Sequence, residues 1–150
     1  TAFCLPLLSG TVHSHEFQDF IDHYRRLSRN SLVFEISAPD ILQNPADFLA
    51  ARDRIIDLGH RICIAGWDPH LFALLNAIQL EVHFHKISWT PLLSSGFRSD
   101  WADELRQNVR RTGATKVILS DCNSAEALAF GQRHGLLLFQ GPHLETAAVD

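Results

Sequence analysis

The stretch Lys116–Gly141, KVILSDCNSAEALAFGQRHGLLLFQG, decides the fold. Its start lies in the apolar run Thr115–Leu119, short enough for a buried strand, and Leu136–Phe139 is a second such run. Between them, Asn123 with Glu126 three residues later predicts a capping box for a helix that runs to His134. A strand, a helix and a strand in so short a span form a βαβ unit, with parallel strands and a right-handed crossover. The same alternation extends outward. Ala2–Leu8, Ser31–Ile36, Arg61–Ala65 and Glu81–Ile87 predict four more strands. Helices are expected over His15–Ser28, from the cap Asn44 and Pro45 to a stop at Gly59, over Pro69–Ile78, and over Ser99–Thr112 before Gly113. Trp101, Leu105 and Val109 are the inward positions of the last of these.

Strands that are apolar nearly throughout belong to a parallel sheet buried on both faces. No linker, repeat or charge block divides residues 1–150, which read as one α/β domain. Either an open doubly wound sheet or part of a (β/α) barrel fits the alternation. A nucleotide-binding doubly wound sheet carries a glycine-rich turn after a strand, and neither G-x-G-x-x-G nor G-x₄-G-K occurs. The expected fold is an incomplete TIM-like (β/α) barrel, with parallel strands alternating with helices.

Composition narrows the function. The 150 residues are 46% hydrophobic and 20% charged, proportions ordinary for a globular domain. Thirteen basic against 17 acidic residues give a net charge of −4, the wrong balance for tracking nucleic-acid phosphates. No apolar run approaches the roughly 20 residues that cross a bilayer, so membrane contact by this segment is not expected. Nothing at the N-terminus reads as a signal peptide, and with no Met at all the chain reads as a piece of a longer protein. Cys4, Cys63 and Cys122 are far apart in apolar segments, as reduced core thiols in a cytoplasmic protein would be. The paired Cys/His spacing of a zinc site is absent, so neither a metal nor a cofactor is expected.

Four segments, in order, resemble strand ends of the EAL-domain cyclic di-GMP phosphodiesterases. SLVFEIS (Ser31–Ser37) looks like the family's E-[IL]-T-E strand. DLGHRICIAGWDPH (Asp57–His70) stands where the family has a D-D-F-G strand end. EVHFHKIS (Glu81–Ser88) is similar to its K-I-D strand, and Lys116–Gly141 to its E-G-V-E and Q-G segments. The resemblance covers nearly the whole chain and implies a barrel with its site at the carboxyl ends of the strands. It implies hydrolysis of cyclic di-GMP by a pair of divalent cations, which needs several carboxylates around two hard ions. The chain then begins at the family's third strand, lacking the first two and the signature Glu.

Carried over position by position, that site has lost its acids. An Asn ligand falls at Pro6, the second acid of E-[IL]-T-E at Ala38, and the D-D pair at Ala65 and Gly66. The Asp of K-I-D is Ser88, and the acids of E-G-V-E are Ser120 and Asn123. Glu35, Lys86 and Gln140 remain as a vestigial ligand-binding set, with no catalytic and no metal-binding residue. One carboxylate cannot neutralise two dications. Asp68 and Asp121 stand near vacated positions, but Asp121 is one residue out of phase with Ser120 and faces the other way on a continuing strand. Glu35 and Lys86 also suit a structural ion pair. His83 and His85 share a strand face opposite Lys86 and should turn toward the helices. Trp67 and Trp89, just past strand ends, should either fill the barrel mouth or form an apolar contact patch.

The resemblance therefore implies a catalytically inactive EAL-like domain, not an enzyme, serving as a protein-interaction or regulatory module in bacterial cyclic di-GMP signalling. A protein partner or a second copy is expected on the open sheet edges. The alternative is a receptor that binds cyclic di-GMP without hydrolysis, through Lys86 to a phosphate and Gln140 to a base or ribose. An active phosphodiesterase would need a rewired metal site.

Overall fold

The computed structural model describes residues 4–142, so Ala2 and Phe3 of the first expected strand lie outside the described residues. Contacts group the chain into two compact units, Thr1–Ala65 and Gly66–Asp150. Strands and helices alternate along both, every pairing within a unit is parallel, and the strands are neighbours in chain order. This is the partial TIM-like α/β pattern that the sequence predicts.

The first unit holds β1 (Cys4–Pro6), a 3₁₀ turn at Ser9–His13, α1 (His15–Leu27), β2 (Val33–Ser37), α2 (Ala38–Gln43), α3 (Pro45–Asp57) and most of β3 (Arg61–Trp67). Helix α1 turns Phe17 and Ile21 to the core, and Phe17 meets Phe34 of β2 with ring centroids 5.5 Å apart. That contact identifies the helix-facing side of the sheet: Phe34 and Ile36 on β2, Ile62 and Ile64 on β3, all buried. The opposite side carries Cys4 and Pro6, Val33, Glu35 and Ser37, and Arg61, Cys63 and Ala65.

Helix α2 was not expected. It starts immediately after β2, where Ser37 caps it by accepting from the Asp40 amide at 3.2 Å and Pro39 occupies the first turn. The Ser-Ala-Pro-Asp sequence is its signal. Asn44 stands at the N-cap of α3 as expected, but its side chain caps nothing there and reaches back to Asp40 Oδ1 at 3.4 Å.

The second unit contains α4 (Pro69–Leu74), a 3₁₀ turn at Ala77–Leu80, β4 (Phe84–Ser88), α5 (Leu93–Gly96), α6 (Ser99–Thr112), β5 (Val117–Ser120), α7 (Ala125–Arg133) and β6 (Leu138–Phe139). The helix expected over Pro69–Ile78 thus breaks in two. Glu81 adopts a left-handed φ of 54°, which closes the 3₁₀ turn and delays β4 to Phe84. His83 consequently lies outside the strand, whereas the reading placed it on one. The cap of α7 is Ser124, accepting from the Ala127 amide at 3.3 Å, in place of the predicted Asn123. Asn123 is one residue too early to reach the first turn.

His85 and Ile87 on β4, Val117 and Leu119 on β5, and Phe139 on β6 share one side by register. That side faces helices, because His85 packs against Phe72 of α4 and a Cβ on Gly131 of α7 would collide with the Phe139 ring. His85 is 1% exposed, and its Nδ1 accepts from Trp67 Nε1 at 3.1 Å. The expectation that His85 turns toward the helix layer therefore holds.

Helix α6 matches its predicted bounds, with Leu105 and Val109 fully inward and Trp101 half-buried. Between them sits Asn108, buried at 3% exposure. Its Nδ2 donates to the carbonyls of Phe72, Ala73 and Leu75 at 2.6, 2.9 and 2.7 Å. One side-chain amide from α6 thus meets carbonyls at and just past the C-terminal end of α4, where the Phe72 carbonyl also accepts from the Leu75 amide at 3.2 Å.

Two predictions follow from these buried polar groups. Asn108→Leu should lower unfolding free energy by about 3 kcal/mol in urea denaturation, because buried carbonyls lose their donor. Asn108→Asp should cost more, since a carboxylate would face those same carbonyl oxygens. The second concerns acid. Burial first, and then the charge of Lys116, holds the His85 pKa down to about 4. Between that value and the unfolded-state value of about 6.5 the unfolded chain binds the extra proton, so stability falls as pH drops through this window. The loss should reach about 3 kcal/mol by pH 4 and should vanish from the pH–stability curve of His85→Gln. His60 and His134, also held low mainly by burial, contribute with the same sign in both proteins.

Candidate functional site

The carboxyl ends of β1, β2 and β3 surround a cavity of about 290 Å³ lined by Pro6, Leu7, Leu8, Glu35, Ser37 and Ala65. Glu35 supplies its only carboxylate. The strand ends are held in place by Ser9, whose amide donates to Asp40 Oδ2 at 2.8 Å and whose hydroxyl donates to Asp40 Oδ1 at 2.9 Å. This ties the turn after β1 to the helix after β2. It also commits Asp40 to a structural role, although Asp40 borders a neighbouring cavity of about 510 Å³.

In the second unit, Lys86 and Ser88 of β4, Ser120 of β5 and, past the end of β6, Gln140 lie on the side opposite the helices. Lys86 is 6% exposed, whereas Gln140 is exposed. Register thus puts Lys86 and Gln140 on one face of their unit, with β5 between them. The backbone of Gln140 is fixed on both sides: its amide donates to the Leu119 carbonyl at 2.8 Å and its carbonyl accepts from the Cys122 amide at 3.0 Å. Gly141 makes this approach possible at φ 153°. A Cβ there would stand 2.8 Å from the Cys122 carbonyl carbon and closer still to its nitrogen and oxygen.

The residues present do not fit a pair of hard dications. Pro6 and Ala65 line the cavity beside Glu35 with carbon alone, and Ala38 is buried at the start of α2. Asp68 is engaged at a helix start. Its Oδ1 accepts from the amides of His70 and Leu71 at 2.8 and 3.2 Å, capping α4. Asp121 has a left-handed φ of 62° directly after β5 and is exposed.

Neither tryptophan takes the place expected for it. Gly66, at φ 81°, breaks the two-residue alternation at the end of β3, so that Trp67 packs against Phe72 and His85 on the helix side. Trp89 packs on Phe130 of α7 with ring centroids 5.3 Å apart. At 1% and 4% exposure, neither forms a contact patch.

All three cysteines are free thiols. Cys122 is buried with its Sγ 3.3 Å from the Leu119 carbonyl, and burial pushes its pKa up, as in an inert core thiol. Sequence reasoning missed one grouping. Ligand atoms of Cys4, Glu35 and Cys63 all lie within 4.8 Å of one another. The three residues come from three strands, so no local spacing reveals them. Parallel register is the signal that could have found them.

No protein-family model matches the sequence, and no curated protein matches it. Solved structures do. The chain is similar to the S helix-GGDEF-EAL portion of Vibrio cholerae LapD bound to c-di-GMP, at 19% identity and TM-score 0.68, over 93% of this chain and 36% of that one. It is similar to the Pseudomonas aeruginosa FimX EAL domain bound to c-di-GMP, at 21% identity and TM-score 0.69, over 97% and 62%. A manganese and c-di-GMP complex of Klebsiella pneumoniae BlrP1 aligns at 15% identity and TM-score 0.71, over 95% and 38%. This chain therefore spans between about a third and two thirds of the length of these neighbours. Its fold is the EAL-domain fold, present as part of the barrel.

Proposed function

We propose that this chain is a degenerate EAL-like domain that does not hydrolyse cyclic di-GMP and acts as a protein-interaction or regulatory module in bacterial cyclic di-GMP signalling. The observation that carries this reading is the cavity at the strand ends of the first unit, where Glu35 is the one acid and Pro6 and Ala65 stand beside it. Metal-assisted hydrolysis needs a preorganised set of oxygen ligands, and beside Glu35 the only side-chain oxygen in this lining is the Ser37 hydroxyl. A cytoplasmic setting agrees with three reduced thiols. Contact with a partner or a second copy is read from the edges, where β1 pairs with β2 and β6 pairs with β5.

The second reading is a receptor that binds cyclic di-GMP and passes on its occupancy. Lys86 favours it, as a buried cation on the face opposite the helices. So do the c-di-GMP complexes of LapD and FimX. Calorimetric titration with cyclic di-GMP separates the two. The interaction module predicts no heat, together with a self-associated or partner-bound species in sedimentation. The receptor predicts a micromolar signal that Lys86→Ala abolishes. Release of linear dinucleotide in the presence of Mg²⁺ or Mn²⁺ would overturn both.

A further inference from the structure

We propose that Cys4, Glu35 and Cys63 form a zinc site that ties together the first three strands. They lie on β1, β2 and β3 in turn, on the sheet face turned away from the helices. Glu35 is the direct register partner of Cys63, and Cys4 stands one same-face step before Pro6, the partner of Glu35. The two sulfurs and a carboxylate oxygen lie within 4.8 Å of one another, close enough for a single ion to draw all three to bonding distance by rotamer adjustment. Among the described residues this is the one group of three metal-competent side chains that converges in this way.

The alternative chemistry for two neighbouring thiols is a disulfide, and the strand order opposes it. With β2 between them and a two-residue offset along the strands, Cys4 and Cys63 have Cα atoms more than two strand spacings apart, above about 9 Å, where a disulfide needs less than about 7 Å. An ion bridges that gap and a bond between sulfurs does not. Cys63 is fully buried, while Cys4 and Glu35 are half-buried, and Glu35 lines the cavity that opens at the strand ends. That cavity supplies the entry path and a fourth position for water. Two thiolates and one carboxylate select a borderline-soft ion such as Zn²⁺ or its substitute Co²⁺ over Mg²⁺, Mn²⁺ or Ca²⁺. Binding releases the two thiol protons to solvent. The site differs from a pair of hard ions in its donors, its single ion and its position deeper along the strands. It does not depend on whether the chain binds a nucleotide.

The test uses the whole chain, reduced, stripped with chelator and titrated with Co²⁺ and then Zn²⁺, with no nucleotide present. One Co²⁺ per chain should bind with intense thiolate-to-cobalt charge-transfer absorption, which Zn²⁺ abolishes on displacement. Zn²⁺ should shield Cys4 and Cys63 from alkylation in the wild-type chain, as read by peptide mass. Cys4→Ser and Cys63→Ser should lose the charge-transfer band, and Glu35→Gln should weaken binding by at least about 10–100-fold, the loss usual for removing even an outer-shell partner. Cys122→Ser should leave band and affinity unchanged. Absence of the band in the wild-type chain, a band that survives in both Cys4→Ser and Cys63→Ser, or equal alkylation of Cys4 and Cys63 with and without Zn²⁺ would each overturn the proposal. The wild-type measurements stand even if a variant fails to fold.

Discussion

A parallel strand covered on both sides must sort its side chains by residue parity, and this constraint organises both units. The side facing the helices is nearly uniform: Phe34, Ile36, Ile62, Ile64, Ile87 and Leu119 are 0–2% exposed and meet rings and aliphatic groups from the helices. Burial of that side supplies most of the driving force for folding. The other side carries what is chemically distinctive, namely Cys4, Glu35 and Cys63 in one unit and Lys86, Ser88, Ser120 and Gln140 in the other. A shift of a single residue in register would exchange the two sets and put a charge against the hydrophobic layer. The fold is therefore tolerant of change at strand ends and intolerant of change in phase.

Polar groups buried among the helices carry a second burden. Helix α4 is only six residues long, and a helix that short leaves most of its carbonyls without partners. Asn108 meets three carbonyls from the other side of the helix layer, and Asp68 meets the amides at the opposite end. His85 plays a comparable part toward the Trp67 indole. These contacts make the second unit specific as well as hydrophobic, since each polar side chain is matched to particular donors or acceptors. In such a layer a polar residue records a particular neighbour.

Much of this was legible in the sequence. Helix α6 was read to the residue because apolar periodicity and Gly113 agree on its limits. The alternation of strands and helices was legible for the same reason; the structure has Glu35 and Lys86 in the middle of β2 and β4 and Gln140 just past β6. What escaped depends on backbone torsions or on register between distant segments. Glu81 and Gly66 take left-handed φ values that periodicity does not encode, and they respectively shorten β4 and turn Trp67 away from the expected side. Asn123 and Ser124 are both good caps, and only the geometry of the turn after β5 chooses between them. The Cys4, Glu35 and Cys63 group needs three strands aligned at once.

Gly66 constrains what the end of β3 can accept. It is the point where the chain reverses its alternation. With φ at 81°, any side chain introduced there is strained, and the buried stack of Trp67, Phe72 and His85 is built on that torsion. An acidic side chain introduced there would meet that strain. The backbone would first have to relax, the indole would have to leave its pocket, and the imidazole that accepts from it would lose its donor. The torsion at one glycine thus fixes which side of the sheet the next aromatic ring occupies.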